Sequence, residues 1–149
     1  MQTFKTANFK KDKPGHAFPQ FESLEPSETQ AIRVSLGARL GLSPAANSLE
    51  LARCVDQRAR TLPDMDAEDS SFDLAGALSA EGIRPRPNVY VNWYRFDEID
   101  RMSFGDLAAN FDDVWYPSSD DIDIFDDSVS WILSVSHEGA VKVLKLSDK

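Results

Sequence analysis

One stretch constrains the fold more than any other: SVSWILSVSHEGAVKVLKL, residues 128–146. Val129, Trp131, Leu133 and Val135 alternate with Ser128, Ser130, Ser134 and Ser136. A period of two places the first set on one face of a strand, against a core, and the serines on the other. Only Ile132 interrupts the serine row. His137-Glu138-Gly139 supplies a short connection, with a glycine where a positive φ is free of steric cost, and 140–146 returns as a β-branched strand. The chain is therefore expected to end in an antiparallel hairpin.

The rest is read around that hairpin. Residues 1–26 form an arm in which 4–9 is a short edge strand; Pro14-Gly15 and Phe18-Pro19 keep the remainder extended, with its phenylalanines docking on the body. Ser27 and Gln30 make an S-x-x-Q capping box for a helix ending at Gly41, its inner face Ile32, Leu36 and Leu40. Ser43-Pro44 starts a second helix carrying Leu51, Cys54, Val55, Arg58, Ala59 and Leu62 on one face, antiparallel to the first. Residues 63–71 read as a polar connection, 72–81 as a third helix stopped by Gly82, and Arg84-Pro85-Arg86-Pro87 as a stiff connector whose arginines pair with acids of the chain. Residues 88–96 form a second strong strand, 97–101 a turn, and Ser103 with Asp106 caps a helix bearing Phe104, Leu107, Ala108 and Phe111. A short strand follows at 121–125. These elements predict one α+β domain over 1–149: an arm (1–26), a helical part (27–82) and a sheet-rich part (88–149) containing an acidic segment (97–127). N-terminal helices pack on one side of a mainly antiparallel sheet of about four strands.

The 149 residues match the size of one ordinary domain. No run of about 18 apolar residues is present, and the N-terminus lacks an apolar signal region, so the reading is of a soluble, cytoplasmic protein without membrane association. The single cysteine, Cys54, excludes an internal disulfide framework and reads as a small buried hydrophobe. The net charge of −9 is unevenly placed: residues 1–96 balance, whereas 97–127 hold eleven acids against Arg101 alone. A local field of that sign opposes nucleic acid and anionic lipid and suits a basic protein.

The sequence carries no nucleophile elbow, P-loop, dinucleotide fingerprint, H-E-x-x-H or paired C-x-x-C. An enzyme would have to be built on His137 and the nearby aspartates, as a metal-dependent hydrolase, yet His137 and Glu138 are adjacent and point to opposite faces of a strand end. Asp121 and Asp123 share a face, which suits a hard cation, but no further ligand is specified. The leading expectation has no catalytic residue, metal or cofactor. It takes Trp115, Tyr116, Asp120, Asp121, Asp123, Phe125, Asp126 and Asp127 as a partner-binding surface of aromatic anchors with an acidic rim. A nucleic-acid-mimicking inhibitor is a further alternative.

Residues 116–139, YPSSDDIDIFDDSVSWILSVSHEG, resemble the C-terminal part of small bacterial immunity proteins encoded beside polymorphic or contact-dependent growth-inhibition toxins. The resemblance lies in Asp120-Asp121, Ile124-Phe125-Asp126, Trp131 and His137-Glu138-Gly139. It implies a non-enzymatic cytoplasmic inhibitor that covers the active site, or an adjacent surface, of a cognate toxin, often a basic nuclease.

Overall fold

The computed structural model describes residues 1–146. Six helices, α1 (Thr3–Asp12), α2 (Pro26–Arg39), α3 (Ser48–Arg58), α4 (Leu74–Ala80), α5 (Phe104–Ala109) and α6 (Phe111–Val114), accompany seven strands. The strands are β1 (Phe21–Ser23), β2 (Arg60–Asp66), β3 (Asn88–Tyr94), β4 (Glu98–Ser103), β5 (Ile122–Phe125), β6 (Trp131–Val135) and β7 (Ala140–Lys145). They form one antiparallel sheet in the order β1-β4-β3-β5-β6-β7-β2. The α+β class is as read from the sequence, and the sheet is larger than the four strands expected. Among the described residues no helix is long and apolar enough to cross a membrane.

Ile132 explains the largest difference. Trp131, Leu133 and Val135 join Ile122, Ile124, Val89, Val91, Val141 and Val143 in a core with Leu74 and Leu78 of α4, Leu107 of α5 and Phe111 and Val114 of α6. Ile132 points the other way, with Phe125 and Leu144, to meet Leu36 of α2 and Leu51 and Val55 of α3. Both faces of the sheet are therefore buried, and helices cover both rather than one. Burying each such aliphatic side chain stabilises the fold by about 1.5–3 kcal/mol. Val129 is not on the strand: its φ is +53° and it sits in the turn before β6.

The serines are structural. Ser134 Oγ donates to Asp123 Oδ1 at 2.5 Å, Ser128 binds Asp126, and Ser136 Oγ accepts from Ala140 N at 3.2 Å across the hairpin turn. Gly139 has φ +87°, and a Cβ there would fall 2.2 Å from Asp66 Oδ1, so any other residue strains the turn and displaces the Asp66 side chain.

Elsewhere the sequence misleads for local reasons. Residues 4–9 lie in α1, and the edge strand of the arm is β1, paired to β4. The capping box of α2 uses Glu25 and Glu28, with Pro26 at the first helical position, not Ser27 and Gln30. Helix α3 starts at Ser48, where Asn47 Oδ1 accepts from Glu50 N at 2.9 Å; Ser43 only closes the preceding turn, and Leu62 belongs to β2. The polar connection at 63–71 is partly β2, an edge strand that tolerates Pro63 through a register shift. The turn at 97–101 is mostly β4. The Ser103 cap of α5 is present, accepting from Asp106 N at 3.3 Å.

Candidate functional site

The eight residues expected to form a partner surface do not come together as one. Trp115 stacks on Phe111 at 5.7 Å in the core beneath α6, and Phe125 lies between Tyr90 and Phe96 in the core beneath α2 and α3. Both are buried, so neither offers a surface anchor. Asp120 is buried against Lys5 and accepts from Tyr116 N at 2.8 Å. Asp126 is 1% exposed and accepts from Arg86 N, Ser128 N and Trp131 Nε1 at 3.0–3.1 Å. Asp123 is half-buried, Tyr116 half-buried beside Phe4, and only Asp121 and Asp127 are exposed. Asp127 pairs with Arg86 at 2.6 Å, at the other end of β5 from Asp121.

Lys5 is the residue that sequence periodicity gave no reason to expect. It is fully buried, and its Nζ donates to Asp120 and, at 2.6 Å, to the Val114 carbonyl. The Trp93 and Tyr116 rings face it at 4.2 and 4.7 Å from their centroids. Burial pulls its pKa below the ordinary lysine value, opposed by the hydrogen bond and charge of Asp120. Asp100, buried on β4, similarly accepts from Ser23 Oγ at 2.6 Å and Trp93 Nε1 at 2.8 Å, and pairs with the Met1 ammonium. Three acids of the acidic segment are thus internal ligands of donors from the rest of the chain.

What the fold gathers instead is an excess of exposed carboxylates at one end of the sheet. Strand register brings the end of β3, the starts of β4, β5 and β7 and the ends of β6 and β2 together. Asp97, Glu98, Asp121, Glu138 and Asp66 therefore share one end, and Glu68 lies beside Gly139 in the same place. At the opposite end charges of both signs pair, Arg60 and Lys145 with Glu81 and Arg86 with Asp127, while Arg39 bonds the Ser128 carbonyl and Arg58 the Leu40 carbonyl. Glu98, Glu138, Glu68 and Asp66 were missed as site residues because their neighbourhood depends on register, not on proximity in the chain.

A cleft of about 390 Å³ opens at the acidic end, lined by Trp93, Tyr94, Glu98, Ser119 and Asp121 among others. Tyr94 is 52% exposed, with the Arg95 guanidinium 4.9 Å from its ring centroid. The sharp turn at Arg95 and Phe96, both at positive φ, is held by Asn92 Oδ1, which accepts from Phe96 N at 2.8 Å.

His137 bonds Asp121 of the cleft lining. Its Nδ1 is 2.9 Å from Asp121 Oδ1 and its Nε2 3.8 Å from Glu138 Oε1. The Asp121 hydrogen bond, then its charge, raises the imidazole pKa above the ordinary value. The protonated form is therefore kept to higher pH than in the unfolded chain, and the pairing is lost as pH rises through the folded value. Asp121→Asn is expected to move the His137 midpoint downward in an NMR titration; an unchanged midpoint would remove Asp121 as the cause. Among the described residues no three His, Cys, Asp or Glu side chains converge as a metal-binding group.

Asp123 sits inside the sheet. It accepts from Ser134 Oγ and, at 2.9 Å, from Asn92 Nδ2, yet burial outweighs these bonds and raises its pKa. A raised carboxyl pKa favours the fold below the unfolded value of about 3.9 and loses that contribution as pH rises through the folded value. Asp123→Asn is thus expected to raise Tm at neutral pH, with the gain vanishing near pH 3. A fall in Tm at pH 7 would show that the charged form supports the fold.

Comparison with protein-family models, with curated proteins and with solved structures finds no match to this chain.

Proposed function

We propose that this chain is a non-enzymatic binding module of immunity type, which occludes a basic partner protein with the acidic end of its sheet. The observation that carries the reading is the gathering of exposed Glu68, Glu98, Asp121 and Glu138 at one end, beside an exposed tyrosine and an open cleft. Such a surface accelerates encounter with a positive face and rejects negative ones, and the aromatic wall of the cleft suits a lysine or arginine side chain of the partner. The resemblance of residues 116–139 to immunity proteins points to the same partner class, a cytoplasmic toxin nuclease whose basic face holds phosphates. The functional surface is then the sheet end, and the buried aspartates serve to build it.

The test is by charge reversal. Tagged protein is used to capture its partner from source lysate at low and at moderate salt. The variant Glu68→Lys, Glu98→Lys, Glu138→Lys is compared with a control of equal charge change elsewhere, Asp12→Lys, Glu50→Lys, Asp112→Lys. The account predicts a basic partner retained by the wild type and the control, and association slowed about 10- to 1000-fold in the sheet-end variant. Equal loss in both variants would reduce the effect to net charge and contradict a localised surface.

A further inference from the structure

A second cleft, of about 310 Å³, lies between α3 and the sheet. Its floor is a polar row: Asn92 of β3 opposite Asp123 of β5, Asp123 opposite Ser134 of β6, and Ser134 opposite Lys142 of β7. Further along the same face the strands present Phe125, Ile132 and Leu144, the apolar layer under α2 and α3. Four successive polar residues across the middle of a buried sheet are therefore a departure from the packing around them.

The row has capacity to spare. A carboxylate offers about four acceptor positions, and Asp123 receives Ser134 Oγ at 2.5 Å and Asn92 Nδ2 at 2.9 Å. Lys142 Nζ pairs instead with Asp56 of α3, at 3.1 Å. Asp56, Asp121 and Asp123 thus line the cleft with Lys142 as its one lysine, and Ala52 and Val55 of α3 give it an apolar wall. Burial raises the pKa of Asp123, a cost that a cation bound there would relieve.

We infer that this cleft is a binding site for a single alkylguanidinium or alkylammonium group. The apolar stem lies against Ala52 and Val55, and the head takes the open acceptor positions of Asp123. A guanidinium fits best, since its planar fork engages a carboxylate at two points. The cation is borne either by a free small molecule or by an arginine side chain of a docked protein, and in the second case the inference rests on the docking reading above.

The full-length protein is titrated with n-butylguanidinium, and separately with the capped tripeptide acetyl-Gly-Arg-Gly-amide, at constant ionic strength, following backbone amides by NMR. Saturable shifts at residues 123, 134 and 142 are expected with n-butylguanidinium, weakened at least tenfold in Asp123→Asn, whose fold is checked by its own Tm and amide spectrum. Saturation by the tripeptide at the same residues assigns the cation to a protein side chain, and saturation by the free cation alone assigns it to a small molecule. The variant Glu98→Lys, Glu138→Lys keeps n-butylguanidinium binding while losing the docking surface, so the two readings fail separately. No saturable shift with either probe, or equal binding by Asp123→Asn, overturns the inference.

Discussion

Replacing Lys5 with methionine is expected to destabilise the protein by about 3–5 kcal/mol, the cost of leaving one member of a buried ion pair without its partner. For a chain of this size that lowers Tm by about 6–20 °C. The physical reason is Asp120. Its carboxylate is buried, and without the ammonium it keeps only the Tyr116 amide as a hydrogen-bond donor. The same change removes the Lys5 bond to the Val114 carbonyl and two ring contacts, which tie α1 to the body. Adding Asp120→Asn to Lys5→Met is expected to restore much of the loss, because a neutral amide still accepts from Tyr116 without an uncompensated charge. Thermal denaturation of the two single variants and the pair gives the coupling directly. Additive losses would show that Lys5 acts through α1 packing alone.

Asp126→Ala is expected to cost at least about 3 kcal/mol, since several buried donors lose a charged acceptor at once. The Arg86 and Ser128 amides and the Trp131 indole all converge on this carboxylate. They join the connector before β3 to the turn before β6, so the loss spreads across both central strands. Asp126→Asn is expected to be milder, retaining one oxygen for these donors while its amide nitrogen faces the others. Denaturant unfolding measures both, with the change read in the midpoint at constant slope. Equal stability of Asp126→Ala and wild type would mean that water satisfies these donors.

The hairpin, β3, β5 and the cap of α5 are legible because their signals are local: alternation over five or six residues, a glycine at a positive φ, a serine three residues before its donor. The missed elements share a different cause. Helix α1 buries Lys5 and Phe9, so its inner face does not read as an apolar stripe. Strand β4 buries Asp100 beside Ile99 and Met102, which breaks its alternation. Edge strand β2 contains Pro63 and exposes most of its side chains. Each depends on partners far along the chain that no local pattern reveals.

The same distance explains the misplaced site. Asp120, Asp126 and Asp121 look alike in sequence, yet the first meets Lys5, the second gathers amides and only the third faces outward. The excess of acid in 97–127 was a correct reading of composition. Its division between buried ligands and an exposed sheet end is set by register and by the fold of residues 1–96.

The most direct test of the central proposal is amide hydrogen exchange on the complex captured from lysate, compared with the free protein. The account predicts added protection confined to residues 66–68, 94–98, 119–122 and 136–140, the segments that meet at the acidic end. Protection concentrated at residues 84–88 and 126–130, with those four segments unchanged, would place the interface at the opposite end and contradict it.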